Sequence, residues 1–297
     1  MIYGFFLYFF LHLFPASPAL APVADTPAPL YLSTDQGQHW RTFTEGLPAA
    51  VSITGILSQQ NRVYLATNAH GFFTLAGNQS EWVSSNAGLP AKANFTTIAG
   101  EGQHLVLGTY NNGVYFSQDG GKHWRTSIFN IPGNSIVGNP VNSLTYHGGY
   151  IYAGTENGIY RSWDSGMSWQ KIHDQFFVYH LLSVEDRLYA ASRDGLLASD
   201  DGGDNWRIVY SDKFVYRLYS AEGNLYAAVA GHGVLRSDDG GKTWLPPVAV
   251  LCNVRSGSLP DALWKGYVPA LPSELPARFL AESPLGWLAA GVMNVGC

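Results

Sequence analysis

Charge is scarce in this chain. Asp, Glu, Lys and Arg make up 13% of the 297 residues, and 17 basic against 22 acidic groups leave a net charge of −5. A nucleic-acid binder needs a concentrated basic footprint to displace phosphate counterions, and no such cluster is present, so nucleic acid is excluded as the expected partner. Cysteine is scarcer still. Cys252 and Cys297 are the only two; neither has metal-ligand spacing, and in an exported protein they permit at most one disulfide. The nine histidines are scattered, and there is no H-E-x-x-H, G-x-S-x-G or P-loop. By motif, then, no metal, cofactor or catalytic nucleophile is expected.

Long apolar runs are missing too. The one candidate, residues 2–14, spans 13 residues, where a membrane-crossing helix needs about 20. It leads into Ala- and Pro-rich sequence and reads as the apolar part of a secretory leader, residues 1–24, followed by a linker, residues 25–29. The expected location is outside the cytoplasm, in a periplasm, on a cell surface or in the medium. No Lys or Arg precedes Arg41, so the usual positive start of a leader is lacking; an uncleaved N-terminal anchor is the alternative and would be the only membrane contact.

What the chain does have is aromatic residues in register. They make up 14% of the sequence. The stretch Ser117-Gln118-Asp119-Gly120-Gly121-Lys122-His123-Trp124 has the pattern S-x-D-x-G-x-x-W. It returns at Ser33/Asp35/Gly37/Trp40, Ser162/Asp164/Gly166/Trp169, Ser199/Asp201/Gly203/Trp206 and Ser237/Asp239/Gly241/Trp244. A sixth copy has decayed to Thr74 and Trp82 with no Asp between them. The Trp positions lie 42, 42, 45, 37 and 38 residues apart, a period that marks repeated supersecondary units.

Each unit reads as four short alternating runs. Asn112-Gly113, Asn157-Gly158 and Asp194-Gly195 supply hairpin turns between the second and third runs. With no helical pattern between them, four antiparallel strands per repeat predict the blades of a β-propeller. Five units are complete. Residues 30–43 supply only a third and fourth strand, while residues 278–282 and 286–291 supply a first and second. The two chain ends are therefore expected to build one blade together. The expected fold is all-β, a single six-bladed propeller of four-stranded antiparallel blades over residues 30–297. Residues 245–277 form a long excursion, either a binding loop or a flap over one end of the channel. Linkers Gly46-Leu47-Pro48, Gly88-Leu89-Pro90 and Asn130-Ile131-Pro132 share a signature whose apolar residue is expected to plug the groove between blades.

These boxes resemble those of the Asp-box family, also called bacterial neuraminidase repeats. Its members include sialidases, xyloglucanases, sortilin-type receptors and photosystem II assembly factors. The resemblance implies a propeller in which the box turns the chain from third to fourth strand, and it leaves activity open. The residues read the same way on their own. Ser and Asp side chains bond backbone N–H groups of the turn, Gly takes the strained φ, and Trp packs between blades. A feature repeated around the ring does not define a single site, so the box residues are assigned to structure.

Function is therefore sought elsewhere. The boxes mark one face of the ring, and the hairpin turns and inter-blade linkers mark the other, the linker face. First strands line the central channel, and their alignment gives Thr54, Thr96, Asn142, Tyr179, Tyr216 and Arg278, followed by Gly55, Thr97, Ser143, His180, Arg217 and Phe279. Tyr179, His180, Tyr216, Arg217 and Arg278 fall in three consecutive blades and, with Trp264 and Tyr267 of the excursion, form the candidate binding set. Glycoside hydrolysis needs two facing carboxyl groups. The acids left for the linker face are Glu45, Glu156, Asp174, Asp194, Asp212, Asp261 and Glu274, none of them on a first strand. The Arg-Ile-Pro motif of sialidases is absent, and the family's xyloglucanases are about twice as long, with two propellers. The expectation is an exported, monomeric, non-catalytic binding or scaffold module for a protein, peptide or glycan. A sialidase-like glycoside hydrolase and a photosystem II assembly factor-like protein are the alternatives.

Overall fold

The computed structural model describes residues 30–35, 39–49, 51–77, 79–129, 139–174, 176–211, 213–221, 223–248, 279–283 and 286–290. The leader and its linker, Gly37, both cysteines, Trp264, Tyr267, Arg278 and residues 249–277 of the excursion lie outside them.

Among the described residues the strands form six sheets. One joins the chain ends in the order β2-β1-β25-β24, with β1 at Leu30–Ser33, β2 at Arg41–Thr42, β24 at Phe279–Ser283 and β25 at Gly286–Ala290. The first internal blade is β3 (Ser52–Gln59), β4 (Arg62–Asn68), β5 (Phe72–Ala76) and β6 (Val83–Ser84). The second is β7 (Phe95–Glu101), β8 (His104–Thr109), β9 (Val114–Ser117) and β10 (Arg125–Thr126). A short strand β11 (Ile128–Phe129) then joins the third blade, β12 (Val141–His147), β13 (Tyr150–Thr155), β14 (Gly158–Ser162) and β15 (Ser168–His173). The fourth is β16 (Val178–Val184), β17 (Arg187–Ser192), β18 (Gly195–Ser199) and β19 (Arg207–Ser211). The fifth is β20 (Val215–Ala221), β21 (Asn224–Val229), β22 (Gly233–Ser237) and β23 (Leu245–Val248). Within each blade, neighbouring strands are antiparallel; only β11 pairs in parallel. The chain is thus a single six-bladed propeller with one blade shared by both ends. Strand β23 takes the first four residues of the segment read as an excursion.

Among the described residues the five larger apolar cores lie between blades, and a smaller one, Tyr226, Ala228 and Val234, lies on the fifth. One unites Leu30, Leu32 and Leu288 of the shared blade with Ile53, Leu65 and Trp82 of the first. Others join first to second, second to third, third to fourth and fourth to fifth. The middle strands are covered on both faces, which is why β8, β17 and β21 are almost continuously buried and apolar rather than alternating. Close approach limits some positions to glycine. A Cβ on Gly154 would stand 2.6 Å from the Val178 side chain of the next blade.

The boxes close the third-to-fourth turns with one repeated hydrogen-bond set. Each box Ser hydroxyl donates to Oδ1 of its Asp, at 2.8 Å in Ser33, Ser199 and Ser237 and 2.9 Å in Ser117 and Ser162. The same hydroxyl accepts the N–H of Gly121, Gly166, Gly203 or Gly241. Each Asp then accepts both the backbone N–H and the side chain of the residue before the Trp, namely His39, His123, Ser168, Asn205 or Thr243. These bonds favour the charged carboxylate. Those from Asn205 and Ser199 hold Asp201 at about 2; burial pushes Asp119 up, but the bonds from His123 and Ser117 outweigh it and hold it at about 2.

The decayed copy is corrected by the strand register. Leu75 pairs with Val63 as Ser117 pairs with Leu105, so Leu75, not Thr74, occupies the Ser position. Leu75 is buried in the core, and the neighbouring Thr74 hydroxyl is enclosed without a hydrogen-bond partner among the described residues.

Five box Trp residues pack in two ways. Trp82, Trp124 and Trp244 donate their indole N–H to Phe43, Ser85 and Val209 of the preceding blade, whereas Trp169 and Trp206 donate to Gly166 and Gly203 of their own box. Trp40 is half-buried at the seam of the ring; the chain from residue 249 to 278, like the Asn130-Ile131-Pro132 linker, lies outside the described residues.

The blades also end in two ways. Strands β2, β6 and β10 last two residues, after which the chain crosses to the next blade. There the N–H of Trp82 donates to Glu45 O, that of Trp124 to Ala87 O and that of Ile128 to Met167 O, each at 2.8 Å. Gly46 and Gly88 make the crossing with φ of +83° and +90°, where a Cβ would meet the carbonyl of Trp82 or Trp124. Leu47 and Leu89 pack against the inter-blade cores. Strands β15, β19 and β23 instead stay paired for four to six residues, and the linkers after β15 and β19 shrink to residues 174–177 and 212–214.

If Trp124 and Asp119 are structural, Trp124→Ala should cost about 3–5 kcal/mol through the inter-blade cavity. Asp119→Ala should cost about 1–2 kcal/mol through unpaired turn donors. Urea unfolding measures both. An Asp119→Ala protein as stable as the parent would contradict this assignment of the box.

Candidate aromatic site at the channel mouth

Each of the five internal first strands carries a β-bulge. The register shifts between Ile53 and Gly55, Phe95 and Thr97, Val141 and Ser143, Val178 and His180, and Val215 and Arg217. The extra residues are Thr54, Thr96, Asn142, Tyr179 and Tyr216, the positions aligned from sequence. A bulge re-aims a side chain out of the regular alternation, and the re-aimed groups do two different things.

In the second and third blades they stitch the ring. Thr96 Oγ1 donates to Val141 O at 2.5 Å, and Asn142 Nδ2 donates to Val178 O at 2.9 Å, each reaching the next first strand. Ser143 Oγ accepts the N–H of Leu181 at 3.0 Å. The Thr54 hydroxyl is enclosed with no hydrogen-bond partner among the described residues. In the fourth and fifth blades the corresponding residues are rings. Tyr179 stacks on Phe177 with centroids 4.4 Å apart and meets Phe214 at 4.6 Å, and Phe214 meets Tyr216 at 5.9 Å. All four are half-buried and sit where the first strands begin, at the linker-face mouth of the channel.

One residue further along lie His180 and Arg217. Burial, and then the nearby Arg217 guanidinium, push the His180 pKa well below its ordinary value, so it is neutral near pH 7. Its Nδ1 is enclosed without a hydrogen-bond partner among the described residues. Arg217 lies 5.8 Å from the Tyr219 ring centroid. Burial, with Tyr219 adding to it, raises the Tyr216 phenol to about 12. The structure therefore brings together Tyr179, His180, Tyr216 and Arg217 of the expected set.

Phe177 and Phe214 are the members missed by sequence reasoning. Their signal was the tripeptide Phe-Val-Tyr, at residues 177–179 and again at 214–216. Four second-strand ends were also missed. Thr67, Thr109, Thr155 and Ser192 donate their hydroxyls to Gly71, Gly113, Gly158 and Gly195 and close the linker-face hairpins.

Nothing comparable gathers around carboxylates. Of the linker-face acids, Glu45, Glu156, Asp174 and Asp194 are exposed, and Asp212, Asp261 and Glu274 lie outside the described residues. The carboxylates held below the ordinary range, Asp35, Asp119, Asp164, Asp200, Asp201 and Asp239, all sit in box turns. A groove of about 380 Å³ lies on the outer rim beside Arg41, Glu45, Gln79 and Ser80, remote from the channel. Among the described residues no three His, Cys, Asp or Glu side chains converge as a metal site.

No protein-family model matches the chain. No curated protein matches it either. Solved structures do. YCF48 bound to D1 peptide superposes with a TM-score of 0.56 at 17% identity, over 88% of this chain and 84% of that one. An ancestral GH74 enzyme gives 0.54 at 18% identity over 76% of this chain, and the GH74 xyloglucanase from Xanthomonas campestris gives 0.51 at 14% over 85%. The chain spans only 33% and 52% of those two proteins. At such identities the likeness is one of fold, shared by a peptide-bound propeller and by glycoside hydrolases.

The enclosed neutral His180 has a consequence for stability. Below a pH near the ordinary value of 6.5, the unfolded chain binds a proton that the folded site resists, so stability should fall as pH drops from about 7 to 5. Thermal melts at both ends of that range should show a smaller loss for His180→Leu than for the parent. Equal losses would place the titration elsewhere.

Proposed function

We propose that the protein is a non-catalytic recognition module that binds a peptide or protein segment at the linker-face mouth of the channel, between the fourth and fifth blades. The observation that carries this reading is the replacement of ring-stitching Thr and Asn by Tyr179 and Tyr216 in two adjacent blades. There, bulged first strands present half-buried rings, Tyr179 stacked on Phe177 and meeting Phe214. Large, stiff aromatic side chains and Arg, here Arg217 next to Tyr216 in the chain, are residue types that dominate binding energy at protein interfaces. The peptide-bound state of the structurally similar YCF48 supports the same choice of ligand class. Export, read from the apolar residues 2–14, belongs to this proposal and is tested by N-terminal sequencing of the mature protein from its native host.

Selection from a displayed peptide library supplies a ligand for the central test. Tyr179→Ala and Phe177→Ala should each weaken its binding about tenfold, with melting temperatures unchanged. Two results would overturn the reading. One is binding that neither replacement alters. The other is turnover of a glycoside panel that a single carboxylate replacement abolishes.

A further inference from the structure

The box face carries a second feature, independent of the channel mouth, that appears when the blades are compared at equivalent positions. The register that pairs Ile151 with Ser162 sets Tyr150 opposite Trp163 one step further out. The same step in the second blade holds His104 and Gln118, and in the fifth Asn224 and Asp238. In the fourth it holds Arg187 and Asp200, which form a salt bridge. Three blades place solvated polar or charged pairs there, and the third places two aromatic rings.

Those rings face water. Trp163 is 54% exposed, Tyr150 41% and Tyr146 37%. Monomeric proteins seldom cluster exposed rings within a polar surface except at interaction sites. The charges around them select the partner. Glu101 of the second blade lies beside the Tyr146 hydroxyl and pushes its pKa up. On the other side His147 Nδ1 meets Ser183 Oγ at 2.8 Å, which holds the adjoining turn of the fourth blade, with exposed Glu185 and Asp186, against the third. None of these three acids is in a salt bridge among the described residues. The cation within the patch, Arg161, is held by Asp204 at 2.8 Å and lies 5.4 Å from the Tyr150 centroid, so a guanidinium already uses one of these rings.

We propose that this patch docks a basic protein segment, whose Lys or Arg side chains stack on Trp163 and Tyr150 while Glu101, Glu185 and Asp186 attract it. Ring faces attract cations, and carboxylates outside any described salt bridge on both flanks favour a positive partner and repel an acidic one. An apolar occupant would instead desolvate those carboxylates without compensation.

A fluorescein-labelled octalysine peptide, with an octaglutamate peptide as counter-probe, tests the site on the full chain by fluorescence anisotropy. Trp163→Gln copies the residue that the second blade uses at this position, so it should fold with an unchanged melting temperature. It should weaken octalysine binding about fivefold, whereas Tyr179→Ala on the opposite face should leave it unaltered. Octaglutamate should not bind. Absence of octalysine binding, or binding that Trp163→Gln leaves within about twofold of the parent, would overturn the proposal; the latter would show attraction to the acidic protein as a whole.

Discussion

The pairing of β1 with β25 is the interaction on which the rest of the ring depends. Four residue pairs, from Leu30 with Ala290 to Ser33 with Trp287, join strands from opposite ends of the chain. Among the described residues the five larger cores each lie between two blades, so an open ring would leave the outer faces of two blades in water. Closing it buries Leu30, Leu32 and Leu288 against the first blade, and burial of that apolar surface is the dominant force holding such a fold. The pairing also joins residues far apart in sequence, so it is a late and entropically costly contact in folding.

Once closed, the ring has only the outermost strands as edges, and the blades blunt them by several means. Three fourth strands last two residues. Strand β15 is covered by β11 and bulged within its pairing to β14, β19 is bulged at its pairing with β18, and β23 carries Pro246 and Pro247 at its own irregularity. Short, bulged or proline-bearing edges resist pairing with another chain. The same division into short and long fourth strands sets the linker lengths. Long crossings wrap from the shared, first and second blades, and short ones follow β15 and β19, where the rings of Phe177, Tyr179, Phe214 and Tyr216 gather. Architecture and candidate site are thus linked: the half of the ring with short linkers is the half whose channel mouth is aromatic.

Much of this was legible because a repeat serves as its own alignment. The Trp spacing, the split blade and the channel positions Thr54, Thr96, Asn142, Tyr179 and Tyr216 could be read off before any coordinates. What could not be read was the bulge that re-aims those positions, since it depends on pairing with the second strand. Nor could the stitching of Thr96 and Asn142 to the next blade, a contact across about 40 residues, be seen in a linear pattern. Thr74 was misplaced because a hydroxyl near the expected column looked like a worn box Ser; the register gives that column to Leu75. The donor before each Trp escaped notice because His, Ser, Asn and Thr share a hydrogen-bonding role and no common letter.

The box and the channel residues matter only in a closed ring, so closure is the claim to test most directly. Light scattering coupled to size-exclusion chromatography should be run on the full chain and on a chain lacking residues 30–43, which removes β1 and β2. The account predicts that the deletion exposes β25 and the face of the first blade, giving oligomers or aggregates and a lower melting temperature. A monodisperse deletion product as heat-stable as the full chain would contradict it.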